Sequence, residues 1–96
     1  MTYTFHPHAE KELEEIEGYY NGIDKELGNQ FREDFESTLS RIIQFPNGWH
    51  PLTKIDRSCR FSSFPYCIIY RMISKGIYIV AVMHSHREPD YWMYRT

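Results

Sequence analysis

FPYCIIYRMISKGIYIVAVMH, residues 64–84, decides the fold. It contains two runs, YCIIYRMI (66–73) and IYIVAVMH (77–84), joined by Ser74-Lys75-Gly76. β-Branched and aromatic residues fit a pleated backbone, and a short glycine-containing link between two such runs reads as a hairpin. Both runs are apolar at nearly every position. They are therefore expected to be central strands with little exposed face. Working outward, a further strand is expected around Cys59–Phe61, and TYTF (2–5) has the composition of a short first strand.

Between these strands the period changes from two to three and four. Ala9, Leu13, Ile16, Tyr19 and Tyr20 form one stripe, with Pro7 at the start and Glu10 and Glu12 in the first turn. Proline loses nothing there, and carboxylates suit the positive end of the helix dipole. Asn21-Gly22 is expected to break this helix and Asp24 to cap a second, whose stripe is Leu27, Phe31, Phe35, Leu39 and Ile42. Gly28 inside the second helix costs about 1 kcal/mol relative to alanine, which close packing against the first helix would explain. Pro46-Asn47-Gly48 ends the second helix, and Pro89 allows a last short helical turn, DYWMYR (90–95). The expected fold class is α+β. A helical hairpin packs on a small antiparallel sheet in the order β-α-α-β-β-β, all within one domain, residues 1–96.

Composition narrows the function. The 96 residues are 42% hydrophobic, 17% aromatic and 25% charged, which excludes disorder and fits one domain. Such a chain buries about 60% or slightly more of its unfolded surface, enough for one core. No apolar stretch is long enough to span a bilayer, and the opening MTYTFHPHAEKELEE is unlike a signal peptide. A cytoplasmic location is expected, with Cys59 and Cys67 reduced and buried. His6 and His8 form no recognisable metal site, and no cofactor is expected. The net charge of −2 hides an asymmetry. Residues 1–48 carry ten acids and four bases, whereas residues 49–96 carry seven bases and three acids. The second half is thereby suited to an acidic partner.

Five pieces in fixed order carry a resemblance: FHPHAEKELEEIEGYY, LGNQF, FPYCIIYR, IVAVMHSHR and PDYW. Together, from about Thr4 to Arg95, they resemble the RelE/ParE toxin superfamily, and its ParE branch most. The resemblance implies a toxin of a type II toxin–antitoxin system, held inactive by a cognate antitoxin that lays a helix and an extended segment across it. A toxin dimer or a heterotetramer with the antitoxin is compatible with this. A small aromatic-rich domain is also expected to leave an apolar groove for such a segment.

The superfamily implies two activities. ParE-like members poison DNA gyrase, and RelE-like members cleave mRNA on the ribosome. Cleavage through the 2′-hydroxyl needs a base, an acid and cations on the phosphate. By position, Arg60, Arg87 and Tyr91 or Tyr94 could match the nuclease pattern, with His84 and His86 able to move protons. The lysine pair expected before the middle strands is reduced to Lys54, followed by Ile55, Asp56 and Arg57. That departure favours a binding module that traps gyrase. Its target contacts are then Arg57, Arg60, Arg87, Tyr91 and Trp92. Arg71, beside Tyr70 and Met72, reads instead as a structural ion-pair residue.

Overall fold

The computed structural model describes residues 2–86 and 90–96. The elements run β1 (Thr2–Phe5), α1 (Pro7–Ile23), α2 (Lys25–Gln44), β2 (His50–Pro51), β3 (Asp56–Arg60), β4 (Tyr66–Ile73) and β5 (Gly76–His84). They make one five-stranded sheet of order β1-β5-β4-β3-β2. The expected hairpin is β4–β5, paired from Tyr66↔His84 to Ile73↔Gly76. Antiparallel pairing holds from β2 through β5, while β1 adds parallel to β5, so the sheet is mixed. Between the pairs Ile69↔Ala81 and Tyr70↔Ile79 the register shifts, leaving Val80 as the extra residue of a bulge.

The helices cover one face. Ala9, Leu13, Phe31, Phe35, Leu39 and Ile42 meet Cys59, Ile68, Tyr70, Ile77, Ile79 and Val82 in the main core. The near-continuous apolar runs of β4 and β5 are explained by the other face, where Cys67, Ile69, Val80, Ala81 and Met83 pack under Trp92. The chain after β5 thus acts as a lid on the sheet. Residues 90–95 form turns, with Met93 N–H donating to Asp90 O and Arg95 N–H to Trp92 O, rather than the expected helical turn. Pro89, on which that expectation leaned, lies outside the described residues.

The helix–helix corner is tighter than its sequence suggested. Asn21-Gly22 does not break α1, which continues to Ile23, and Asp24 alone joins the two helices. Asp24 serves both. Its carboxylate accepts from Glu26 N–H (2.9 Å), and its own N–H donates to Tyr20 O (3.0 Å). Gly28 is buried where α2 meets α1. A Cβ there would collide with Asn21 Oδ1 and lie 3.1 Å from Asn21 Cα, so the close packing anticipated for this glycine is present. Gly76 has φ +132°, and a Cβ on it would collide with the Thr2 carbonyl. Only glycine fits where β1 joins β5.

Two acids, Asp34 buried and Glu12 half-buried, bind the layers together. Asp34 on α2, 8% exposed, accepts from the N–H groups of Ser62 (3.1 Å), Ser63 (2.8 Å) and Phe64 (2.9 Å). It thereby fixes the link between β3 and β4. Glu12 on α1 accepts from Val82 N–H (3.0 Å) and pairs with Arg95 (2.9 and 3.1 Å), which also donates to Val80 O (2.9 Å). Val82 N–H lies beyond the end of β1 and Val80 O at the bulge, and this ion pair satisfies both.

Candidate functional site

The sequence-derived candidates distribute over two faces and one edge of the sheet. Paired residues on neighbouring strands share a face. Arg60 pairs with Cys67, and Cys67 with Met83, which places Arg60 on the face closed by Trp92. His84 pairs with Tyr66, whose ring packs against the helix-side core, so His84 belongs to the opposite face. The two residues stand at the same end of the sheet but are separated by it. Arg87 lies outside the described residues.

On the face of Arg60, Trp92 is 3% exposed and part of the packing, as an anchor for the terminal segment. Tyr91 is half-buried, with the Arg95 guanidinium 5.0 Å from its ring centre, and Tyr94 is largely exposed. Arg57 donates to Trp49 O (2.8 Å). Arg71 is committed to Asp56 (2.8 Å), both largely buried, as its reading as an ion-pair residue anticipated.

Beyond the short β2, the outer edge of β3 opens into a cleft of about 600 Å³ lined by Arg41, Trp49, His50, Arg60 and Phe61 among others. Arg41 donates to Thr38 Oγ1, Arg60 O and Ser62 Oγ, and its guanidinium lies 5.7 Å from the Trp49 ring centre. Among the described residues, Arg41, Arg57 and Arg60 have no carboxylate partner. Arg41 and Arg60 line this cleft, whereas Arg57, paired with Tyr70 of the helix-side core, does not. Arg41, Trp49 and His50 were not among the sequence candidates. No periodicity marks them, because they meet only when α2 packs beside β3.

On the other face, α1 and the far half of β5 enclose a groove of about 520 Å³. Glu12, Glu15, Tyr19, Tyr20, Tyr66 and His84 line it, together with Ile16, Val82 and Met83. It is therefore mixed in character rather than the apolar groove expected. The rings form a continuous wall: Tyr19 edge-on to Tyr20 (5.1 Å), Tyr20 to Tyr66 (6.2 Å), and Tyr66 to His84 (5.3 Å). Tyr20 and Tyr66 hydroxyls lie 3.4 Å apart. Burial, and then the bond to Tyr20, push the Tyr66 phenol well above its ordinary range. It stays protonated at neutral pH and serves as a hydrogen-bonding group, not as a base. His84 Nδ1 accepts from His86 N–H (3.1 Å).

The thiols offer no nucleophile. Cys59 and Cys67 are buried and unpaired, and burial pushes Cys67 up to about 11. Among the described residues no three His, Cys, Asp or Glu side chains converge to hold a metal ion. Among the described residues no helix is long and apolar enough to cross a membrane.

Comparison with known proteins agrees with this architecture. The family model described as the ParE toxin of the type II toxin–antitoxin system parDE matches residues 3–89. Curated relatives named Toxin ParE2, from Mycobacterium tuberculosis strains CDC 1551 / Oshkosh and H37Rv, are each 29% identical over 86 residues. Those alignments cover 88% of this chain and 82% of each relative. With a helical hairpin on a five-stranded sheet and a family match running through β1, both helices and β5, the chain belongs to the ParE toxin family of type II toxin–antitoxin systems.

Proposed function

We propose that the chain acts by binding rather than by cleavage, inhibiting DNA gyrase until a cognate antitoxin neutralises it in the cytoplasm. The observation that carries the choice is the separation of Arg60 from His84 by the sheet. Phosphodiester cleavage needs cation and proton carrier around one phosphate. Here Arg60 and the His84 imidazole address different surroundings, and the partly buried phenol of Tyr66 is held protonated.

In this reading Arg60 and the exposed parts of the terminal segment around Tyr91 form the target contact on one face, and Arg57, whose strand partner Tyr70 belongs to the helix-side core, extends it around the edge of β3. Arg87 belongs to the same set. Trp92 supports the contact from beneath rather than touching the target. The antitoxin occupies the groove between α1 and β5.

Induced expression in a bacterial host tests the reading, with DNA supercoiling and global mRNA integrity followed over the same minutes. Relaxed or broken DNA with intact messages is expected. Rapid message cleavage with intact DNA overturns the gyrase reading in favour of an endoribonuclease.

A further inference from the structure

The groove between α1 and β5 contains backbone groups and charges that point to the chemistry of its occupant. β1 stops pairing at Phe5↔Ile79. Beyond Ile79, no strand among the described residues lies on the α1 side of β5. Two bonds fix which way its backbone faces. Ser85 N–H donates to Pro65 O on the side of β4 (2.9 Å), and Val82 N–H donates to Glu12 on the opposite side (3.0 Å). Along a strand the N–H and C=O of one residue point the same way and alternate from residue to residue. The Val82 carbonyl and both backbone groups of His84 therefore face the groove.

The side chains around this edge are acidic and aromatic. Glu15 is exposed and has no ion pair among the described residues, whereas Glu12 shares its charge with Arg95. Among the described residues no lysine or arginine lines the groove. Tyr19, 64% exposed, and its neighbours Tyr20 and Tyr66 present ring surface beside Glu15. A carboxylate next to tyrosine faces attracts an ammonium or guanidinium group and disfavours another acid.

We propose that this groove binds an extended peptide segment that pairs with Val82–His84 and seats one lysine or arginine side chain between Glu15 and the tyrosine wall. Main-chain bonds to the strand edge give the segment its register, and the cation gives selectivity. The inference deepens the reading above, in which the antitoxin supplies the segment. It also reverses the polarity that the basic second half suggests: the partner meets this groove with a base, whatever acids it presents elsewhere.

The test uses the purified chain and three blocked peptides, Thr-Val-Lys-Val-Thr and its Gln and Glu counterparts at the central position, titrated by calorimetry and by amide NMR. The Lys peptide should bind about tenfold more tightly than the Gln peptide, an order set by one partly desolvated cation–ring and carboxylate contact. The Glu peptide should be weakest. Glu15→Lys should reverse the order, and Glu15 is exposed enough for the variant to fold. His84 amide exchange should slow in the complex. Equal binding of the three peptides, an order unchanged in Glu15→Lys, or unaltered exchange at His84 overturns the inference. Because toxicity is not measured, discriminating peptides with a non-toxic chain would overturn the toxin reading alone. A toxic chain whose peptides do not discriminate would overturn this inference alone.

Discussion

Asp34→Ala should remove about 3–5 kcal/mol of stability, and the reasoning can be followed group by group. The carboxylate is 8% exposed and accepts from three consecutive backbone N–H groups at 3.1, 2.8 and 2.9 Å. A hydrogen bond to a charged acceptor contributes about 1.5–3 kcal/mol, and a buried donor left unpaired costs about 1–3 kcal/mol. The 62–64 segment can relax and admit water, so the three terms do not add in full; the loss settles near 3–5 kcal/mol, against a total of about 5–15 kcal/mol for a domain of this kind. Asp34→Asn keeps one acceptor oxygen but turns an NH₂ group toward an N–H. It should lose about 2–3 kcal/mol, between wild type and alanine. Urea unfolding followed by circular dichroism measures both, with exposed Glu33→Ala as a control expected within about 0.5 kcal/mol of wild type. A loss below about 1 kcal/mol in Asp34→Ala, with an unchanged denaturant slope, would refute the view that this acid organises the β3–β4 link.

Four further outcomes are expected. Gly28→Ala should lower the melting temperature despite alanine's better helix propensity, because its Cβ meets Asn21; thermal melting of Gly28→Ala against exposed Gly18→Ala, which should hold or gain, separates the two effects. Arg95→Met should cost about 2–4 kcal/mol in urea unfolding, since it leaves Glu12 without its cation and Val80 O without its donor. His6 is lowered below 6.5 by burial and by the Arg95 charge, so the unfolded chain binds the extra proton. Stability should therefore fall as pH drops below about 6.5, and His6→Asn should flatten that part of a pH series of unfolding midpoints. Cys67, pushed up to about 11 by burial, keeps its proton where the unfolded thiol ionises. Stability should fall as pH rises past 9, and iodoacetamide at pH 8 should label it only after urea is added, as mass spectrometry would read.

How much of this was legible depended on whether the signal was local. The hairpin of residues 66–84 and both helical stripes could be read because each element's own periodicity declares its buried face. Gly28 could be flagged because its cost has no local compensation, and α1 supplied the reason. The break at Asn21-Gly22 was misplaced because both residues are exposed and tolerated in the last turn of a helix, while Asp24 alone satisfies the groups at the corner. β2 escaped because two residues, one of them proline, carry no alternation. The parallel seat of β1 escaped because pairing partners more than seventy residues apart leave no mark in either segment. The same limit governs the sites. Arg60 and His84 looked like one constellation because they fall at similar strand ends. Whether two such residues share a face depends on cross-strand register, and the bulge at Val80 enters that register unseen.

The ties between the two ends of the chain have a consequence for how the domain comes into being. β1 pairs only with β5, and Arg95 reaches Glu12 across 83 positions. Contacts this distant close the largest loops the chain can form, so they are paid for last and slow the search. Until the residues of β5 exist, the first strand has no partner and the first helix has no platform. A nascent or clipped chain lacking them would have no smaller unit to settle into, and the groove would be missing with it. A protein built this way becomes competent only as a whole, so completion of the chain is a first condition on its action, met before any neutralising partner has something to bind.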